Sequence, residues 1–165
     1  MTDYWPKLHD LFDTDDGSLP DVFLDGLSGQ HVCAVYSWVM SQAEIYDDPT
    51  LWSESAAKDI LIKEIDDPAG MVVSGDVYQF RHGLISLVVG GVEMPGLSIC
   101  VEPTQISFDY HMGADWGAPQ LEALFEFLSG VVRIAPEAKI SHHFEGDEKE
   151  SPEFAEAFGE YIKSR

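Results

Sequence analysis

The middle of the chain constrains the fold most, because it carries a series of short strand-like runs joined by very short connections. Six apolar or alternating runs are separated by turn residues such as Pro68-Ala69-Gly70 and Gly90-Gly91. The runs cover residues 60–65, 71–73, 77–81, 84–89, 97–101 and 105–110. Parallel strands need a crossover of about a dozen residues or more, so these short connections predict an antiparallel meander.

Residues 105–110 show the clearest strand pattern of the sequence. Ile106, Phe108 and Tyr110 alternate with polar residues along this run. A period of two places alternate side chains on opposite faces of a sheet, with one face packed and the other in solvent. We therefore expect a half-buried strand here.

Helical spacing of apolar residues appears on both sides of this strand-rich region. The predicted helices are residues 3–12, a helix from the N-cap Ser28 to about residue 45, residues 119–130, and a last helix from Ser151. Residues 139–144 are predicted to return as a strand. This order predicts an α+β fold, with an antiparallel sheet of about five to six strands and helices packed mainly on one face. The length fits a single globular domain over residues 1–165.

The charge of the chain narrows its possible partners. Thirty acidic residues against nine basic ones give a formal net charge of -21, and no Lys or Arg occurs between His9 and Ala57. This charge repels phosphate backbones and anionic lipid surfaces, so we expect neither nucleic-acid nor membrane binding. The hydrophobic content of 45% excludes general disorder. An acidic face for a basic partner, simple solubility and adaptation to high salt remain alternative explanations of the charge.

The cysteines and the N-terminal sequence favour a cytoplasmic protein. Cys33 and Cys100 lie among apolar residues and are too few for a disulfide framework, so we expect two reduced core thiols. The first residues lack the basic and apolar regions of a secretory signal. No apolar stretch approaches the roughly 20 residues that a transmembrane helix needs.

The sequence predicts no metal site and no cofactor. Counted from Asp13, a calcium loop needs an acidic residue at its fifth position and Glu at its twelfth, where this chain has Gly17 and Leu24. The histidines do not have zinc-site spacing. His142 and His143 are adjacent, so a strand would point them to opposite faces.

Catalytic motifs are also missing, and we expect no enzymatic activity. The sequence has neither a nucleophile elbow nor a phosphate-binding P-loop. Asp109 and His111, with Asp115 nearby, could form an acid-base pair on one strand face. A small hydrolase that uses Asp109 and His111 is therefore the least favoured alternative.

Residues 109–117 admit two interpretations. In the first, Trp116 packs in front of the following helix as an N-terminal staple. In the second, an aromatic anchor beside charged groups forms an exposed rim, the combination that dominates many protein interfaces. The rim would consist of Asp109, His111, Asp115 and Trp116.

Two stretches resemble small cytoplasmic immunity proteins of bacterial toxin systems. They are Leu19-Pro20-Asp21-Val22 leading into Leu27-Ser28-Gly29, and Asp109-Tyr110-His111-Met112-Gly113 through Trp116 to Leu121-Glu122-Ala123-Leu124-Phe125. The resemblance implies a protein without enzymatic activity that binds one cognate toxin, often a basic nuclease. It also implies that binding covers the toxin's active site or an adjacent surface.

On this hypothesis, acidic loops bind the toxin together with the rim. Carboxylates in such loops would mimic phosphates and would steer a basic partner towards the protein. The remaining alternative is an adaptor or regulator of another basic protein. The predicted loop residues are Asp13, Asp15, Asp16, Asp47 and Asp48.

Overall fold

The computed structural model describes residues 2–165 and contains five α-helices and ten strands within that range. In chain order these are α1 (Trp5–Leu8), β1 (Asp21–Asp25), α2 (Gly29–Gln42), β2 (Glu44–Ile45), β3 (Thr50–Ser53), β4 (Lys58–Leu61), α3 (Pro68–Val73), β5 (Phe80–Ile85), β6 (Val88–Val89), β7 (Val92–Glu93), β8 (Leu97–Val101), β9 (Gln105–Tyr110), α4 (Ala118–Ile134), β10 (Lys139–His143) and α5 (Pro152–Lys163). Short 3₁₀ turns follow α1 and β4. None of these helices is long and apolar enough to cross a membrane.

The main sheet has six antiparallel strands in the spatial order β10-β1-β9-β8-β5-β2. This confirms the predicted α+β fold with a six-stranded antiparallel sheet. The predicted meander holds for β5, β8 and β9, although the small β6-β7 hairpin lies between β5 and β8 in the chain. β1 comes from the N-terminal part of the chain and inserts between β9 and β10.

Helix α2 forms where its apolar period and its cap predict it. The Ser28 side chain accepts a hydrogen bond from the His31 backbone N–H at 3.2 Å, which caps the first turn. The apolar residues at i, i+3, i+4 and i+7 are all buried. The helix ends at Gln42 rather than near Ile45, because Glu44 and Ile45 pair with β5 as an edge strand.

Helix α4 is longer than predicted, because Gly130 lies inside the helix and does not end it. A Cβ atom at Gly130 would lie 2.6 Å from Cη2 of Trp38. The missing side chain therefore lets α4 approach the indole of α2 closely. Trp38 also stacks on Phe127 of α4, with ring centroids 5.4 Å apart.

The prediction of a strand over residues 71–73 is wrong, because these residues form the second half of α3. Asp67 caps this helix by accepting a hydrogen bond from the Gly70 backbone N–H at 3.0 Å, and Pro68 occupies the first turn. An apolar run of three residues is too short to show whether its period is two or 3.6.

The prediction that β9 is half buried is also wrong, since both of its faces are covered. Ser107 and Asp109, on the polar side of the alternation, are only 6% and 9% exposed. β9 is a central strand with β1 and β8 on either side. Small side chains in the middle of a sheet are covered by longer neighbours, and Phe23 lies directly opposite Ser107.

A buried polar network ties the N-terminal segment to the sheet. The Tyr110 hydroxyl donates to the Leu11 carbonyl oxygen at 2.8 Å and lies 2.7 Å from Nε2 of His142. Nδ1 of His142 lies 3.0 Å from the Ser151 hydroxyl. His142 is fully buried, and this burial lowers its pKa to about 4, so the imidazole is neutral.

The two cysteines are free thiols and half-buried, which is less burial than the sequence suggested. Burial raises the pKa of both thiols, in Cys100 to about 11. Both side chains are therefore protonated at neutral pH.

Candidate partner-binding surface

One face of the main sheet packs on helices, and within residues 2–165 no helix packs on the opposite face. On the packed face, Phe108 contacts Phe127 of α4 and His142 contacts Phe154 of α5. Alternation along the strands and their register define the other face, which we call the open face. The open face consists of Asp21, Phe23, Asp25, Glu44, Arg81, Gly83, Ile85, Ser98, Cys100, Gln105, Ser107, Asp109, Lys139, Ser141 and His143.

An ion pair joins two strands of the open face. The Arg81 guanidinium donates from Nε to Oδ2 of Asp109 at 2.8 Å and from Nη2 to Oδ1 at 2.7 Å. Arg81 lies on β5 and Asp109 on β9, so the guanidinium crosses β8. The hydrogen bonds to Asp109 raise the pKa of Arg81 further above its usual value. This two-pronged geometry is the strong form of an arginine-carboxylate contact.

Asp21 lies directly opposite Asp109 on the neighbouring strand. Glu145 is also close, because its carboxylate accepts a hydrogen bond from the Leu19 backbone N–H at 3.0 Å. Partial burial, and then repulsion from Asp109 and Glu145, raises the pKa of Asp21 to about 6. Arg81 and His143 oppose this shift only partly. The open face therefore holds a carboxylate whose charge the fold does not balance.

Aromatic side chains flank these charges. Phe23 packs edge-on against the His143 ring, with centroids 5.3 Å apart. On the other side, Tyr46 lies over Gly83, where an added Cβ would be 3.1 Å from Cβ of Tyr46. Tyr46 is 59% exposed. Four strand spacings, about 19 Å, separate β1 from β2 across the sheet.

The structure brings two of the predicted groups of residues together. Asp13, Asp15 and Asp16 are exposed on the loop after α1. This loop adjoins the turn after β9, because the Gly113 backbone N–H donates to the Phe12 carbonyl oxygen at 2.8 Å. Hydrogen bonds from Ser18 lower the pKa of Asp16, which favours its charged form.

The interpretation of residues 109–116 as an exposed rim is wrong for two of its four members. Trp116 is 5% exposed, packs on Phe12 and Tyr110, and donates from Nε1 to the His111 carbonyl oxygen at 2.8 Å. Asp109 is held by Arg81 rather than by His111, so the proposed acid-base pair is not formed. His111 and Asp115 are exposed, and their role in binding stays a prediction.

Asp47 and Asp48 lie apart from the other predicted residues. They follow β2, at the edge of the sheet opposite to β10. Oδ1 of Asp48 accepts from Nζ of Lys63 at 3.3 Å in an exposed ion pair. These two residues therefore follow an edge strand, whereas the loop of residues 13–16 adjoins the turn after the central strand β9. A role for Asp47 and Asp48 in binding stays a prediction.

One group of possible metal ligands lies near the N-terminus. His9, Asp10 and Asp13 each offer a ligand atom, and these atoms lie within 4.8 Å of one another. Nδ1 of His9 already contacts both carboxylates, at 3.2 Å and 3.1 Å. The sequence-based expectation of no metal stays a prediction.

The sequence interpretation missed the main residues of the open face, Asp21, Phe23, Arg81 and His143. A signal for β1 was present, because Asp21, Phe23 and Asp25 alternate with buried Val22 and Leu24. No local signal pairs Arg81 with Asp109, which lies 28 positions further along the chain.

Comparisons with known proteins give a fold and no family. No family model matches the chain, and no curated protein matches it in sequence. Among solved structures, a similar chain belongs to the crystal structure of the toxic C-terminal tip of CdiA from Pseudomonas aeruginosa in complex with immune protein. The TM-score is 0.55 at 13% sequence identity, and the match covers 80% of this chain and 89% of that chain. The likeness therefore shows a shared fold.

Proposed function

We propose that this protein is a non-enzymatic immunity protein that binds and neutralises a cognate bacterial toxin in the cytoplasm. The observation that carries the proposal is the likeness of fold to a chain from a complex of a toxin with its immune protein. That likeness agrees with the resemblance of two sequence stretches to immunity proteins. The likeness of fold does not rest on overall sequence similarity, because the two chains are only 13% identical.

The charge favours the inhibitor over the toxin as the role of this chain. A toxin that acts on nucleic acid must approach a polyanion, and a net charge of -21 opposes that approach. The same charge attracts a basic partner over distances longer than a hydrogen bond and speeds association. We therefore propose a basic toxin, such as a nuclease, as the partner.

Occlusion is the proposed mechanism of neutralisation. Carboxylates on the inhibitor would occupy the positions at which the toxin binds substrate phosphates. The bound inhibitor would also block access of the substrate sterically. Asp13, Asp15 and Asp16 fit this role, since they are exposed on one loop. His111 and Asp115 lie on the adjoining turn and would extend the same surface.

Co-expression tests this function. The reading frame next to this gene is expressed in a bacterial host, alone and together with this chain. We expect growth arrest with the neighbouring product alone, rescue with both, and a complex that co-purifies. A toxic effect of this chain itself, or arrest that it does not relieve, would contradict the proposed role.

A further inference from the structure

We propose that the open face docks a basic surface of a partner protein and seats a cationic side chain against Asp21, beside the Arg81–Asp109 pair. This inference rests on the proposed function and adds the surface and the residue that recognises the partner. Neither the acidic loops nor the rim includes Asp21. The inference therefore places the centre of the interface at a residue outside both of those groups.

The Asp21 carboxylate has no hydrogen-bond partner among the residues that the structure describes. The Arg81 guanidinium directs its Nε and one Nη2 hydrogen bond to Asp109, and it forms none with Asp21. Asp21 faces Asp109 across the strands, and like charges directly opposite each other destabilise a sheet. Within residues 2–165 no donor forms a hydrogen bond with the Asp21 carboxylate, so a cation from outside would supply the missing interaction.

The surroundings of Asp21 carry a net negative charge. The open face carries four carboxylates, Asp21, Asp25, Glu44 and Asp109, against the two basic side chains Arg81 and Lys139. Glu145 adds a further carboxylate beside Asp21. A second copy of this chain would bring the same negative face and a net charge of -21, so a basic partner fits and self-association does not.

The open face also has residue types that are typical of protein interfaces. Tyr and Arg are enriched at the energetic centres of protein interfaces, where an apolar contact and a charged contact combine. Phe23 lies next to Asp21 on the same face of β1, and exposed Tyr46 lies on the far side of Arg81. Asp21 and Phe23 are partly exposed, and Arg81 and Tyr46 are exposed, so a partner can reach all four side chains.

Binding of a hexa-arginine peptide tests the inference without the toxin. Affinities are measured by calorimetry at pH 7, and contacts are mapped by amide chemical shifts in the full chain. The variants are Asp21→Asn and, as a control with the same loss of one charge, Glu156→Gln on the exposed side of α5. We expect Asp21→Asn to weaken binding about fivefold or more and the control less than twofold, with shifts on β1 and β9.

The pH dependence gives a second readout. Asp109 on β9, Glu145 after β10, Arg81 on β5 and His143 on β10 face Asp21. Histidine is the side-chain type that ordinarily changes charge between pH 5 and pH 8. The measurement is therefore made in a His143→Gln background. We expect affinity to rise from pH 5 to pH 7 because Asp21 must be charged to hold the cation. We expect Asp21→Asn to make that rise smaller, and Glu156→Gln to leave it unchanged.

Equal losses in Asp21→Asn and Glu156→Gln would overturn the inference, as would chemical shifts confined to other surfaces. Circular dichroism of each variant shows whether it is folded. Because the peptide replaces the toxin, these outcomes leave the co-expression result unaffected. Conversely, a neighbouring product that is not toxic would contradict the proposed function while the peptide data still report on the open face.

Discussion

Arg81 and Asp109 form their two hydrogen bonds across an intervening strand, and the two partners differ sharply in exposure. The Arg81 side chain is 50% exposed and the Asp109 side chain 12% exposed. Removal of Arg81 and removal of the Asp109 charge should therefore affect the stability of the fold differently. Removal of Arg81 leaves a buried carboxylate beside Asp21, whereas removal of the Asp109 charge leaves a guanidinium that water can reach.

We accordingly expect Arg81→Ala to lower the free energy of unfolding by about 2 to 3 kcal/mol and Asp109→Asn by less than about 1 kcal/mol. Urea denaturation at pH 7 measures both values. The exposed residue Arg133 on α4 provides a control, because Arg133→Ala removes a similar side chain from the surface. A larger effect from Asp109→Asn would contradict this explanation.

Asp21→Asn is expected to stabilise the protein at pH 7. The pKa of Asp21 is raised to about 6 in the folded state, above its value of about 4 in an unfolded chain, so its charge disfavours folding at neutral pH. The gain should shrink as the pH falls from 7 towards 4, because the folded state then holds the proton. Melting temperatures across this range check the direction.

The exposed Asp59 of β4 provides the matched control for Asp21. Asp59→Asn removes one negative charge without relieving a close like-charge pair. Equal stabilisation by both variants would show that the overall charge, rather than the environment of Asp21, is responsible.

The neutral state of buried His142 predicts a loss of stability in acid. An unfolded chain protonates this residue below about pH 6.5, whereas the folded protein keeps it neutral down to about pH 4. The unfolded state therefore binds more protons in this window, and stability falls as the pH is lowered through it. The effect is at most about 3.5 kcal/mol, from roughly 1.4 kcal/mol for each unit of pKa shift.

His142→Gln isolates this contribution. The wild-type protein is expected to be the more stable of the two at pH 7, and the difference should narrow as the pH falls from 7 to 4. His9, which is half-exposed, is changed to Gln as the control and should show no comparable narrowing. A constant difference for His142→Gln would mean that the imidazole is charged or accessible in the folded protein.

Electrostatic steering predicts a salt-dependent association rate. If the acidic surface attracts a basic toxin, the rate constant for association should fall steeply between low and physiological ionic strength, because salt screens the interaction beyond about 8 to 10 Å. The dissociation rate should change less. Surface plasmon resonance with the product of the neighbouring reading frame provides the measurement, and an association rate independent of salt would contradict steering.

Sequence reasoning worked where the deciding interactions are local. The spacing of apolar residues and the Ser28 cap predicted α2, because a helix repeats its contacts every three to four residues. The short connections between strands predicted antiparallel pairing. The prediction of a strand over residues 71–73 was wrong, because three apolar residues are too few to distinguish a strand period from a helix period.

The candidate surface could not be derived in the same way, because its contacts are not local. Asp21 and Asp109 become neighbours only when β1 inserts between β9 and β10. The polar alternation of β9 suggested a solvent-facing side, yet its neighbours cover Ser107 and Asp109. Charge composition indicated a basic partner, but it did not indicate which carboxylates share a surface.

Trp116 and Asp115 are adjacent in the sequence and should respond in opposite ways to truncation. Trp116 is buried against Phe12 and Tyr110, with ring centroids 4.8 Å and 5.0 Å away, and its indole N–H is hydrogen-bonded. Trp116→Ala should therefore lower the free energy of unfolding by about 3 to 5 kcal/mol, as large aromatic truncations in cores do. Trp116→Phe should cost less, because it keeps part of the packing.

Asp115→Ala should leave the melting temperature nearly unchanged, since the carboxylate is exposed. It should slow association with the neighbouring gene product, because it removes charge from the surface next to residues 13–16. Thermal unfolding and association rates of the two variants separate the two roles. A Trp116→Ala variant as stable as the wild type would contradict the buried position of Trp116 in this turn. If Asp115→Ala associates at the wild-type rate, the turn is not part of the contact, and the open face around Asp21 becomes the stronger site.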